Sequence, residues 1–160
     1  MAGNVRTLRG PTILLEIATL LEGLPYLASA NTGNVPSVYF LDADENRTAE
    51  RIELSGQLAD GEVEWNSTGA LVEETVSIDI LIYAGDSGQT GSEALARAIS
   101  LSETVQAGFR NGTTGRPQGI DTAGVIGNYR IFGYEFESFP VVDEGWGAKY
   151  VLNLRVSARG

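Results

Sequence analysis

From Val72 to Tyr83 the chain alternates with a period of two. Val72, Glu74, Val76, Ile78, Ile80 and Ile82 fall on one side, and Glu73, Thr75, Ser77, Asp79, Leu81 and Tyr83 on the other. Four β-branched residues in succession on one side suit a pleated, half-buried surface, so the pattern predicts a long strand. A second run of this kind closes the chain, with Ala148, Tyr150, Leu152, Leu154, Val156 and Ala158 against Lys149, Val151, Asn153, Arg155 and Ser157. A third precedes it across a turn near Asp143-Glu144-Gly145, with Phe132, Tyr134 and Phe136 against Gly133, Glu135 and Glu137. The last two are neighbours joined by a short turn, so they are expected to pair antiparallel.

A sheet with one apolar face needs a second layer to cover it. Two helices supply that layer. Gly10-Pro11 opens the first, with Pro at a position where its missing N–H costs nothing, and Ile13, Leu14, Ile17, Leu20, Leu21 and Leu24 form one stripe. Gly23 and Pro25 stop it. Ser92 is expected to cap the second, with Glu93 in its first turn. Ala94, Leu95, Ala98, Ile99, Leu101, Val105 and Phe109 give that helix an apolar face, while Glu93, Arg97 and Glu103 are expected to face water. Residues 37–41 read as a short strand, and 50–55 and 61–65 as a short acidic hairpin. The expectation is an α+β fold, a mainly antiparallel sheet with two helices packed on one face, plus that hairpin and long loops. At 160 residues it reads as a single domain, 1–160, with a flexible arm at 1–9 and a long loop at 111–124 that lacks periodicity.

Composition removes most chemistry. With no cysteine there is no disulfide framework, thiol nucleophile or thiolate metal site. With no histidine there is no imidazole base and no Ser-His-Asp triad. Gly85-Asp86-Ser87-Gly88 copies the surroundings of a protease serine but has no base to activate it, so it reads as a turn. The acidic pairs Glu62/Glu64, Glu73/Glu74 and Glu135/Glu137 lie in strand patterns, where acids are the wet face. No enzyme, cofactor or resident metal is expected.

The formal charge is −10, and its distribution is uneven. Twelve acids and two bases lie between Asp42 and Asp86, and the rest of the chain is balanced. Such a block repels phosphate and cannot be a nucleic-acid footprint. It reads as a solvated strand face, as a surface that DNA passes without adhering, or as one that meets a basic partner. Within it Asp42, Asp44, Asn46, Thr48, Glu50 and Glu53 fall at positions 1, 3, 5, 7, 9 and 12 of a calcium-loop spacing. Position 6 is Arg47 where the turn needs Gly, and a strand pattern precedes instead of a helix. A small acidic calcium-binding module is the expectation that competes from a different class. Glu16 and Glu22 interrupt the first apolar run, so neither a secretion signal nor a membrane span is expected, and synthesis in the cytoplasm is.

Two stretches carry a resemblance. One runs from Glu74-Thr-Val-Ser-Ile-Asp-Ile-Leu-Ile-Tyr-Ala through Gly91-Ser-Glu-Ala-Leu-Ala-Arg-Ala to Val105; the other is Gly147-Ala-Lys-Tyr-Val-Leu-Asn-Leu-Arg-Val-Ser-Ala-Arg159. With the first helix, they resemble the tail terminator (tail completion) proteins of long-tailed, non-contractile bacteriophages, over roughly residues 10–40, 70–109 and 147–159. The match is one of pattern and order. It implies a hexameric ring on the head-proximal end of the tail tube, which stops tube growth and joins tail to head while DNA passes through. The implied partners are copies of the chain, the major tail-tube protein and a head–tail connector or stopper, in the host cytoplasm during assembly and then in the virion. A head–tail stopper or connector is the neighbouring alternative. Arg6, Arg9, Arg116, Gln118, Ile120 and Trp146 are the candidate interface residues, since Arg and Trp dominate interface hot spots. Glu62, Glu64, Glu73 and Glu74 are the candidate acidic lumen or partner face.

Overall fold

The computed structural model describes residues 10–29, 33–40, 50–54, 60–65, 67, 71–85, 90–109, 121–122, 125–141 and 145–159. Its elements are α1 (Gly10–Glu22), β1 (Ser37–Phe40), β2 (Arg51–Leu54), β3 (Asp60–Trp65), β4 (Leu71–Ala84), α2 (Gly91–Phe109), β5 (Asp121–Thr122), β6 (Val125–Val141) and β7 (Gly145–Arg159). The strands make one mostly antiparallel sheet in the order β1-β2-β4-β7-β6-β5, with β3 also on β4. Both helices pack on one face, so the fold is the α+β arrangement the alternation predicts.

The apolar stripe of α1 is buried through Ile13, Ile17, Ala18 and Leu21. The helix stops at Gly23, whose N–H donates to the carbonyls of Thr19 and Leu20. Tyr26 then curls back, and its hydroxyl donates to the Leu21 carbonyl at 2.7 Å, satisfying one acceptor that a helix end leaves open. Burial pushes the Tyr26 phenol well above the usual tyrosine range.

The cap of α2 is Thr90, two residues earlier than the expected Ser92. The Thr90 hydroxyl accepts from the Glu93 N–H and the Glu93 carboxylate accepts from the Thr90 N–H, both at 3.2 Å. This reciprocal pair is a capping box, and Ser92 only shares a hydroxyl contact with Thr90. Ala94, Ala98, Leu101, Val105 and Phe109 then face the sheet. Gly108 lets α2 receive Leu24, whose side chain occupies the space a Cβ there would fill.

Antiparallel pairing places opposed residues on the same face. On the helix side stand Ile52, Leu54, Val76, Ile78, Ile80, Ile82, Leu152, Leu154 and Val156, each at most 3% exposed. At about 1.5–3 kcal/mol per buried aliphatic side chain, this layer dominates the stability. The registers form rows across the whole sheet. One row runs Val38, Ile52, Ile82, Tyr150, Phe136 on the helix side, and the next runs Tyr39, Glu53, Leu81, Val151, Glu135 on the open side.

Three expectations need correction. The segments 50–55 and 61–65 do not form a hairpin: β2 and β3 lie end to end along the same edge of β4, both antiparallel to it. β1 joins β2 in parallel, as the outermost strand. The loop at 111–124 ends in β5, which pairs with the first two residues of β6. The arm at 1–9 and residues 111–120 lie outside the described residues.

Candidate functional site

The features that stand apart from an ordinary core lie at the two ends of the sheet. At one end β6 runs 17 residues, and β5 covers only Val125 and Ile126 of it. Among the described residues no strand pairs with the outer edge from Gly127 to Val141. An unpaired edge of that length is a template for another chain.

The side chains on this edge follow from a bulge. Ile131 opposes Leu154 and Gly133 opposes Asn153, so Phe132 is an extra residue. It turns to the open face, where the Arg155 guanidinium lies 4.5 Å from its ring centre. Gly133 follows on that same face, and a Cβ on it would come 2.9 Å from the Asn153 Oδ1. Two successive residues facing one way leave no room for a second side chain. The simple alternation of Phe132, Tyr134 and Phe136 is therefore broken: Phe132 is on the open face, while Tyr134 and Phe136 are on the helix side. There they stack with Tyr150 at centroid distances of 6.0 to 6.4 Å. Tyr134 is 61% exposed and Phe136 57%.

At the other end β1 is the outermost strand, and it carries no charged residue. Beside it, on the helix side, Glu22, Leu24, Pro25, Tyr26, Val35, Pro36 and Val38 line a groove of about 340 Å³. Leu27 and Val35 stand exposed at its margins. The groove's two walls are tied together from behind. Arg97 donates from Nη2 to the Leu27 carbonyl at 2.6 Å and meets both Glu50 carboxylate oxygens at 3.2 to 3.3 Å. The Glu50 carbonyl in turn accepts from the Ser37 N–H. The Arg97 and Glu50 side chains are only 12% and 10% exposed. Helical spacing predicts that Arg97 faces water; it is instead a partly buried tie between α2, the segment after α1 and the residue that precedes β2. No sequence spacing reveals this pair, because its members are 47 residues apart.

Among the described residues the open face carries no helix, and it is screened by long side chains. The Arg51 guanidinium stacks on Tyr83 at 3.8 Å while its Nε donates to Glu53 at 2.7 Å. The Lys149 amine approaches the same ring at 5.7 Å, and Asn153 donates to Asp79 at 2.7 Å. Each cation whose side chain is described, Arg51, Arg97, Lys149 and Arg155, thus has a ring or carboxylate within its own chain.

Trp146 is 43% exposed near the β6–β7 turn, with its ring against Gly91 at the start of α2. Glu62 and Glu64 are exposed on β3 and face the open side with Thr75 and Glu73 opposite them. Glu74 departs from the expected acidic face. It is 3% exposed, on the helix side between Val63 and Ala158, because it belongs to the alternating row of Val76 and Ile78. The side chain of Glu73 and the residues Arg6, Arg9, Arg116, Gln118 and Ile120 lie outside the described residues.

The calcium spacing also meets the structure at two points. Glu53 sits in β2 and is bonded by Arg51, and Glu50 is held by Arg97. A calcium loop needs the carboxylate at its twelfth position free and a helix around it. Asp42, Asp44 and Asn46 lie outside the described residues, and no group of three or more acids among the described residues is placed to hold a metal ion. No described helix is long and apolar enough to cross a membrane. The chain matches no protein-family model and no curated protein in sequence.

Proposed function

We propose that this chain is a structural subunit that closes with copies of itself into a ring, and that the ring terminates a phage tail tube and joins it to the head. The observation that carries the self-assembling part is the sheet's pair of unfinished ends. A long edge unpaired among the described residues, with exposed aromatic rings, and an uncharged outer strand beside a groove lined by Leu24, Pro25, Val35 and Val38 with Glu22 among them are two different surfaces on one molecule. Head-to-tail contacts between different surfaces generate rings when the rotation closes. The tail-terminator part rests on the resemblance in the order helix, long strand, helix, closing strand. In this reading exposed Glu62 and Glu64 repeat around the ring and face the passage, where they repel the phosphates of transiting DNA. The tube protein and a neck connector meet the two rims.

The test has two stages. Light scattering after size exclusion should give a closed oligomer, six copies in this reading; a monomer at all concentrations overturns the proposal. Particles assembled without the protein should then carry tubes of uncontrolled length. Tails of normal length left unattached to heads would assign it to the stopper position instead.

A further inference from the structure

The two ends of the sheet match each other strand for strand. β1 runs antiparallel to β4, β4 to β7 and β7 to β6, so β6 and β1 point in opposite directions. A second copy in the same orientation, placed beside the first, brings its β1 against β6 as an antiparallel neighbour. The helix-covered faces then lie on the same side.

Height matches as well as direction. The row through Val38 ends at Phe136, and the row through Tyr39 ends at Glu135. The flanking rows join Ser37 to Glu137 and Phe40 to Tyr134. Copies related by rotation about an axis along the strands do not slide past one another. The four residues of β1 then face residues 134–137 of β6, which carry the two most exposed rings of the stacked cluster.

Position selects β1 over β3. The rows put β3 at the height of residues 127–130 of β6, away from the exposed rings, and β3 lies directly on β4 while β1 stands one strand further out. β1 offers Ser37 and Tyr39 to Glu137 and Glu135 on the open side, with the Arg51 guanidinium one strand further in. On the helix side Val38 and the groove lined by Leu24, Pro25 and Val35 meet Phe136 and Tyr134.

We infer that the ring interface is an antiparallel β1–β6 pair between successive copies, in which Tyr134 and Phe136 of one copy enter the groove beside Val38 of the next. This rests on the self-assembling reading of the preceding section. It specifies a second copy of the chain as the occupant, the strands that meet and their register.

Disulfide trapping tests it cleanly because the chain has no cysteine of its own. Opposed residues of an antiparallel pair are about 4.5–5.5 Å apart at Cα, within disulfide reach. The variants carrying Ser37→Cys with Glu137→Cys, and Tyr39→Cys with Glu135→Cys, should each give a denaturant-resistant ladder of multimers on oxidation. Glu135→Cys with Glu62→Cys should give none. A dimer from Glu135→Cys or Glu137→Cys alone would mean β6 pairing with itself and overturns the inference. An oligomer that persists in light scattering while neither designed pair cross-links overturns the interface but leaves self-assembly standing; a monomer overturns both. As a second arm, Phe136→Asp with Tyr134→Asp should abolish the oligomer while the melting transition of the subunit is retained, since both rings are exposed in the single chain. Loss of the oligomer only together with loss of folded structure would overturn the assignment of those rings to the interface.

Discussion

The two faces of one sheet stay dry by different means. On the helix side, branched aliphatic residues from β2, β4 and β7 meet the alanine-rich face of α2 and the stripe of α1, and nearly every contact is apolar. On the open side no helix helps, yet Val151 is only 8% exposed. Long stems lie over the rings of this face, Arg51 and Lys149 over Tyr83 and Arg155 over Phe132. The first face holds the molecule together. The second maintains a charged, soluble surface over strands that would otherwise present bare leucine, valine and aromatic rings.

The largest expected effect breaks the helix-covered face. Phe109→Ala removes a fully buried ring at the end of α2 and should cost about 3–5 kcal/mol in denaturant unfolding. Arg97→Ala tests the tie between the layers. It removes the charged bonds to Glu50 and the bond to the Leu27 carbonyl together, and a loss of about 1.5–3 kcal/mol is expected, measured the same way. Thr90→Ala removes one half of the capping box and should cost about 1 kcal/mol. On the open face Tyr83→Leu keeps an apolar stem but withdraws the ring from two cations, and about 0.5–1 kcal/mol is expected, insensitive to the helix layer. A Tyr83→Leu cost equal to that of Phe109→Ala would abolish the distinction between the faces.

Alkali sharpens the comparison from another side. The folded chain holds the Tyr26 phenol neutral, with its pKa raised by burial. The unfolded chain ionises it near pH 10. The stabilising contribution is therefore complete below that pH and is lost as pH climbs through the folded value. Tyr26→Phe should flatten this alkaline fall in stability while costing about 1 kcal/mol at neutral pH for the lost bond to the Leu21 carbonyl.

What the residues reveal in one dimension depends on how local the cause is. β4 and β7 are legible because alternation is a local pattern and both strands are half-buried along their length. Thr90 was equally legible as the first member of a Thr-Gly-Ser-Glu box, which the nearer Ser92 obscures. Glu74 shows the limit of reading acids as wet: its place in the period-two row predicts burial, whereas its chemistry suggests exposure, and the row prevails. The bulge at Phe132 is less visible, since one inserted residue reverses a face without altering composition. The Arg97–Glu50 tie and the parallel β1–β2 pair depend on the folded path of the whole chain, and so do the matched rows that link β1 to β6.

The tie made by Arg97 has a consequence for timing. Its three attachments come from α2, from the segment after α1 and from the residue that precedes β2, so the groove beside β1 takes shape only when all three have arrived. Under the proposed interface, a chain that has formed β6 and β7 without this tie would offer an aromatic edge but no groove to receive one, so completion of the fold would gate assembly.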